Sequence, residues 1–385
     1  MTTPETEFPD RIARARALMA ERGIDGLVVT DPQFYSYYSG HAVPAWMKSR
    51  PSVFILPLEG DPAIIHWSGP EMFARLYNRA MPSWVSDRRI YPEVPLTSDP
   101  QTDWGIADAI QARSLDKGRL AIELGRETWL GIPHTDFELL RAQLPRVTWV
   151  NSGPVLWGCR MIKSEWEIDC MRRACEIGAR AWGRCFDVLH FGISIQDVQS
   201  RVVAYYHEEG ADLGAGPPMV MGATGPGGTF VKGDVLYIDG GCTYSGYAMD
   251  FARRAVFGPP SDRQKDEHYG MWEVLHKLID FMAPGIAVRE VFEYSQRLLA
   301  EHPHWRNYSD HPSKRIGHGQ GLGNEPPSIS GTDDTILQER MVLTPEPKLE
   351  SKDGLVNPEE HVVIRAGGNE ILSSSSSWEL HIVNQ

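Results

Sequence analysis

Two aspartates eleven positions apart, Asp239 and Asp250, lie in the stretch Gly233–Arg254, GDVLYIDGGCTYSGYAMDFARR. Val235–Ile238 is an apolar, β-rich run ending on Asp239. A Gly-Gly turn follows, and then a second extended run over Gly246–Ala252 carries Asp250. The pattern predicts two strands joined by a short loop, with both carboxylates turned into one cleft. The alternative is two strand-end aspartates, one capping a turn and one paired with Arg253 or Arg254. Downstream, His318 sits among glycines in Gly317–Gly321, Glu346 sits in Thr344–Pro347, and Glu359 and Glu360 precede His361. Converging carboxylates with one imidazole suit hard to borderline divalent cations and can hold two. Without a cation they would repel one another and take up protons.

These segments, GDVLYIDGG…DFAR, IGHGQG, LTPEPK and EEHVVI…GGNEILS, occur in one order over roughly the last 220 residues. Their order and spacing resemble the motifs of the pita-bread metallopeptidases, which include methionine aminopeptidase, aminopeptidase P and prolidase, with creatinase as a metal-free relative. The resemblance implies metal ligands at Asp239, Asp250, His318, Glu346 and Glu359. Register to GGNEILS favours Glu359 as the last ligand, with Glu360 as the fallback. It also implies two divalent ions, manganese first, with cobalt, zinc or iron as alternatives. Such ions lower the pKa of a shared water and polarise the scissile carbonyl. Glu346 would carry the proton to the leaving nitrogen, and His318 would act beside it. The implied activity is hydrolysis of the bond to proline nitrogen in short peptides, by a homodimer.

Two departures from the family pattern matter. The family's upstream histidine is missing near Pro217–Thr224, and Asn324 stands where a second histidine is usual. Those groups position the substrate carbonyl and stabilise its tetrahedral intermediate. Asn324 and Gln320 can donate hydrogen bonds but supply no proton at neutral pH. A second expectation is therefore a small non-peptide substrate, by hydrolysis of an amide or ring as in ectoine hydrolase, or by lysis of the dimethylsulfoniopropionate kind. Gly241 stands where such lyases carry an extra acid. A non-catalytic binding module ranks last, because all five ligand positions are filled.

The remainder of the chain must position these groups. At 385 residues it is long enough for two domains. A formal net charge of -13 argues against nucleic-acid and anionic-membrane partners. No apolar run approaches a membrane span, and MTTPETEFPD lacks the features of a signal peptide. Five cysteines without a CxxC read as reduced, packed thiols in a cytoplasmic protein.

In the N-terminal half, helices are expected at Arg11–Arg22, Glu71–Arg79, Trp104–Arg113 and Asp136–Gln143. Strands are expected at Gly26–Thr30, Ser52–Leu56, Ala63–Trp67, Arg119–Glu123 and Val147–Val150. This alternation predicts a small α/β domain over 1–155, of the creatinase/prolidase N-terminal kind by resemblance. Its aromatic run Tyr35–Tyr38, with Trp46, reads as core or as a wall over the active site, and Tyr37 is its candidate substrate contact. Arg50 is a candidate for a substrate carboxylate or a surface ion pair.

Residues 156–385 form the expected catalytic domain. Ser164 and Glu167 have capping-box spacing at the start of a long helix. Ile168, Met171, Cys175, Gly178, Trp182 and Cys185 mark its buried face. Phe191–Val198 resembles Pro284–Val291, and the strand ending on Asp239 resembles the one ending on Glu346. Two half-domains, each giving one strand-borne carboxylate to a central cleft, account for both pairs. The pita-bread fold has the same pseudo-twofold. His207 and His268 on polar helices are expected to face solvent, as are His302, His304 and His311 before Lys314. Ser373–Ser377 reads as a loop between the last two strands.

Overall fold

A computed structural model describes residues 3–41, 50–69, 83–92, 102–212, 216–303 and 315–384. The expected helix at Glu71–Arg79, and Trp46, His304, His311 and Lys314, lie outside the described residues. The chain divides into two compact units, Met1–Arg160 and Met161–Gln385.

The first unit is a six-stranded mixed sheet with flanking helices. Its strands are β1 (Gly26–Val29), β2 (Val53–Pro57), β3 (Ala63–Trp67), β4 (Asp87–Tyr91), β5 (Arg119–Ile122) and β6 (Thr148–Asn151), in the order β4-β3-β2-β1-β5-β6. Its described helices are α1 (Glu7–Glu21), α2 (Pro32–Ser39), α3 (Ile106–Gln111), α4 (His134–Gln143) and α5 (Gly153–Met161). The boundary expected at residue 155 falls inside α5, which carries the first unit on to Arg160.

The aromatic run Tyr35–Tyr38 forms α2. The Asp31 side chain accepts from the amides of Gln33 and Phe34, Pro32 fits the first turn, and Gly40 closes the helix at φ 71°. Tyr37 is buried there. The Arg11 guanidinium lies 4.0 Å from its ring centroid and donates to its carbonyl, and its hydroxyl accepts from Arg14. These contacts pack Tyr37 within the first unit. Arg50 lies over the Trp67 ring at 4.4 Å.

A buried acid ties β1 to β5. Glu123 Oε1 accepts from the amides of Thr30 and Asp31, and Oε2 accepts from the Thr30 hydroxyl. Burial nevertheless pushes its carboxyl up to about 7, against the lowering effect of those hydrogen bonds. The folded state therefore keeps this proton to higher pH than the unfolded chain. Stability is lost as pH rises from the ordinary carboxylate range through about 7, by about 3 kcal/mol in full. Glutamine fits the same cradle: its oxygen keeps both amides, and its NH2 meets the Thr30 hydroxyl oxygen. Glu123→Gln should flatten the denaturation midpoint between pH 5 and 8 and raise it at pH 8. An unchanged pH slope would remove Glu123 as its source.

The second unit holds helices α6 (Glu165–Phe186), α7 (Ile195–Glu208), α8 (Asp262–Phe281) and α9 (Val288–Ala300). One sheet contains β7 (Met219–Met221), β8 (Val235–Asp239), β11 (Ala252–Phe257) and β19 (His381–Val383), in the order β19-β11-β8-β7. The small hairpin β9 (Thr243–Tyr244) and β10 (Tyr247–Ala248) is inserted between β8 and β11. A second sheet, ordered β13-β12-β14-β17-β18, contains β12 (Arg315–Gln320), β13 (Asn324–Ser330), β14 (Val342–Pro345), β17 (Val362–Val363) and β18 (Glu370–Ile371). The hairpin β15 (Leu349–Ser351) and β16 (Gly354–Val356) stands beside it.

The capping box opens α6, with Ser164 and Glu167 bonding reciprocally, and the apolar face reaches the largest core. On that face Gly178 admits Met249, because a Cβ there would lie 1.9 Å from its sulfur. The repeat is reproduced at matching backbone positions. Gly192 and Gly285 take φ 86° and 96° before α7 and α9. The amide of Phe230 donates to Ile193, and that of Leu337 donates to Ile286, each at 2.9 Å. Asp239 follows Phe230 by nine positions, and Glu346 follows Leu337 by nine. The two acids occupy equivalent places in the two halves.

Other expectations change. The second extended run does not carry Asp250 on a strand: β8 pairs with β11, Ala252 opposite Asp239, and Asp250 lies in the link before β11. His268 is buried in α8 rather than solvent-facing, its Nε2 2.9 Å from the Trp378 carbonyl. His207 is exposed. The serine run lies between β18 and β19, with Ser373 buried. All five cysteines are buried and none forms a disulfide. Among the described residues no helix is long and apolar enough to cross a membrane.

Candidate metal centre

The two sheets bring Asp239, Asp250, His318, Glu346 and Glu359 to the wall of one cleft of about 470 Å³. Asp239 ends β8, Glu346 follows β14, His318 lies on β12, Asp250 precedes β11, and Glu359 precedes β17. All five are buried, Glu359 most deeply at 1% exposed. Among the described residues, ligand atoms of Asp250, His318 and Glu359 lie within 4.8 Å of one another.

Local geometry aims each group. Asp250 leaves the strand ladder because its amide donates to His361 Nδ1 at 3.1 Å. His318 Nδ1 lies 2.9 Å from the Gly319 carbonyl, which only accepts, so Nδ1 carries the proton. Burial holds this imidazole below its ordinary pKa and so neutral near pH 7. The Nε2 lone pair then faces Asp250 Oδ2 at 3.5 Å. Asn324 Nδ2 approaches the same nitrogen at 3.3 Å. Gly317 takes φ 142°, and a Cβ there would lie 2.4 Å from the Thr344 carbonyl oxygen.

Glu359 and Glu360 face different ways. Glu359 lines the cleft, whereas Glu360 pairs with the buried Arg253 at 3.1 Å and accepts from Ser373. Arg253 also donates to the Glu359 carbonyl at 3.1 Å, which fixes the backbone between the two acids.

The donor set fits a divalent cation. Glu359 Oε2 is buried without a hydrogen-bond partner, and His318 Nε2 lies 3.5 Å from an Asp250 carboxylate oxygen. Burial first, and then the charges of neighbouring acids, push Asp250 and Glu359 well above the usual carboxylate range. Burial, together with the charge of Glu346, also raises Asp239. A divalent cation bound among these acids would offset both effects and hold them ionised.

Further residues complete the cleft. Tyr237 donates to Asp239 Oδ2 at 2.8 Å, and Asn357 Nδ2 reaches Tyr237 Oη at 2.6 Å and Glu346 Oε2 at 3.1 Å. Lys348 Nζ lies 3.1 Å from Glu346 Oε2. Tyr237, Asn357 and Lys348 each stand two positions from a candidate ligand, so period-two alternation is the signal that marks them. Arg315 had no such signal. It stands three positions before His318, and a register shift between them brings both to the cleft. Where the upstream histidine is absent, Pro217, Pro218, Met219 and Met221 line the cleft.

Comparison with known proteins agrees with this architecture. The model of metallopeptidase family M24 matches residues 169–366, and that of the creatinase/prolidase N-terminal domain matches residues 11–162. An Xaa-Pro dipeptidase of Pyrococcus horikoshii is 30% identical over 256 residues, covering 63% of this chain and 71% of the relative. An ectoine hydrolase of Halomonas elongata is 23% identical over 393 aligned positions, 95% of each chain. A recombinant prolidase from Thermococcus sibiricus superposes with a TM-score of 0.81 at 24% identity, over 99% of this chain and 100% of that one, a likeness of fold. The match across 169–366 takes in every candidate ligand position and more than half of the sequence, and this chain belongs to metallopeptidase family M24.

Proposed function

We propose that this protein is a divalent-metal hydrolase that cleaves the bond to proline nitrogen in short peptides. The observation that carries the reading is the convergence of Asp250, His318 and Glu359 in one cleft, with Asp239 and Glu346 beside them. These residues would hold the metal, manganese first, which supplies an acidified water and a polarised carbonyl. Glu346 takes the proton of the attacking water and returns it to the leaving nitrogen. Asn357 and Lys348 hold its Oε2, so Oε1 is the atom that exchanges the proton. Arg315 offers a guanidinium to the carboxylate of a short substrate. Asn324 donates a hydrogen bond but no proton, so it orients the carbonyl rather than acting as an acid. Buried cysteines without a disulfide suit a cytoplasmic protein, and the family resemblance adds a homodimer.

A second reading, hydrolysis of a small cyclic or zwitterionic amide, is favoured by the Pro-Met wall in place of a histidine and by the end-to-end alignment with an ectoine hydrolase. A panel of Xaa-Pro dipeptides, an Xaa-Pro tripeptide and ectoine, given to manganese-loaded protein with Asp239→Ala as the blank, separates the two. Proline release absent from the blank supports the peptidase. Ring opening without proline release replaces it with the second reading.

A further inference from the structure

One of the four cleft carboxylates, Glu346, is already paired with a cation. Lys348 Nζ lies 3.1 Å from Glu346 Oε2, and the two side chains are only 12% and 8% exposed. Lys348 follows Glu346 by two positions, across Pro347, so an extended chain returns its side chain to the same face. The same Oε2 also accepts from Asn357, and Asp239 Oδ2 accepts from Tyr237. Asp239 and Glu346 thus each have one oxygen committed to a donor of the chain. Glu359 differs: its Oε2 is buried without a partner, close to His318 and Asp250.

One divalent ion balances Asp250 and Glu359. Asp239 and Glu346 carry two negative charges, and the ammonium paired with Glu346 supplies one positive charge that also acts on Asp239. A second divalent ion beside that ammonium would meet a like charge in a largely dehydrated cleft, where repulsion is weakly screened.

We propose that the centre binds a single divalent ion at Asp250, His318 and Glu359, and that the Lys348 ammonium takes the place of a second ion beside Glu346 and Asp239. The pair of ions implied by the family resemblance becomes one ion and one built-in cation that chelators leave in place. The inference rests on the metal-hydrolase reading above.

Manganese content and electron paramagnetic resonance of the full-length protein test it, after stripping, reloading with Mn(II) and removal of the excess. Wild type should retain about one equivalent, with the six-line spectrum of an isolated ion. Lys348→Met should retain about two, with the broadened spectrum of a coupled pair. Lys348→Arg keeps the charge and should stay near one equivalent. A coupled pair in wild type overturns the inference and leaves the metal-hydrolase reading intact. Lys348→Met remaining at one equivalent, or Lys348→Arg rising to two, also overturns it. Wild type binding no ion would sink both.

Discussion

Glu359→Gln is expected to lower turnover by about a thousandfold, while leaving the metal-free protein at least as stable as wild type. The two effects have one cause. Glu359 is almost wholly buried, its Oε2 has no partner, and Asp250, Asp239 and Glu346 all act on it with like charge. Without a cation, the ionised carboxylate is a liability that glutamine removes at nearly constant volume. With a cation, the same carboxylate is a ligand, and the neutral amide is a poor substitute for it. A purely structural Glu359 predicts the reverse, an unstable variant with normal turnover per folded molecule. Thermal unfolding of chelator-treated protein, beside activity measured in excess manganese, distinguishes the two.

Arg253→Ala is expected to destabilise the second unit by about 3–5 kcal/mol, the usual cost of leaving a buried partner charge uncompensated. The guanidinium is 3% exposed and uses every face. It donates to Glu360, to the carbonyls of Ala252, Glu359, Ser373 and Ser376, and to the Ser376 hydroxyl. It also lies 4.7 Å and 5.2 Å from the Phe251 and Trp272 ring centroids. Alanine strands the Glu360 carboxylate, which is itself 3% exposed. Lysine keeps the charge without the planar fork and should recover only part of the loss. Adding Glu360→Gln to Arg253→Ala should restore much of it, since the stranded charge is then gone. Urea denaturation of the four proteins measures this directly. A double variant no more stable than Arg253→Ala would show that the lost carbonyl contacts, rather than the ion pair, dominate.

The two acids next to each other illustrate what the sequence carried and what it did not. Glu359 and Glu360 are chemically the same, and neighbouring extended residues face opposite sides, so one of the pair had to leave the cleft. Which one depended on Arg253, more than a hundred positions away, and only the fold brings that guanidinium to Glu360. Asp239, at the end of β8, and Glu346, just after β14, were legible because apolar alternation and the repeat act locally. Tyr237, Asn357 and Lys348 were legible in principle, two positions from a ligand on an extended chain. Asp250 was placed on a strand by its neighbours, but its amide goes to His361 and the ladder resumes only at Ala252. Arg315 reaches the cleft through an irregular register that no periodicity announces. The helix over Pro32–Ser39 was hidden by aromatic residues that favour strands, and Asp31, Pro32 and Gly40 overrode that preference.

The central claim is that Asp250, His318 and Glu359 hold the divalent ion on which hydrolysis depends. Calorimetric titration of stripped wild type and of Glu359→Gln with Mn(II), with proline release followed in the same samples, tests it most directly. The account predicts that binding and hydrolysis rise together in wild type and that both are lost in the variant. Hydrolysis by the stripped protein at its full rate, or a Glu359→Gln protein that binds manganese and turns over like wild type, would contradict it.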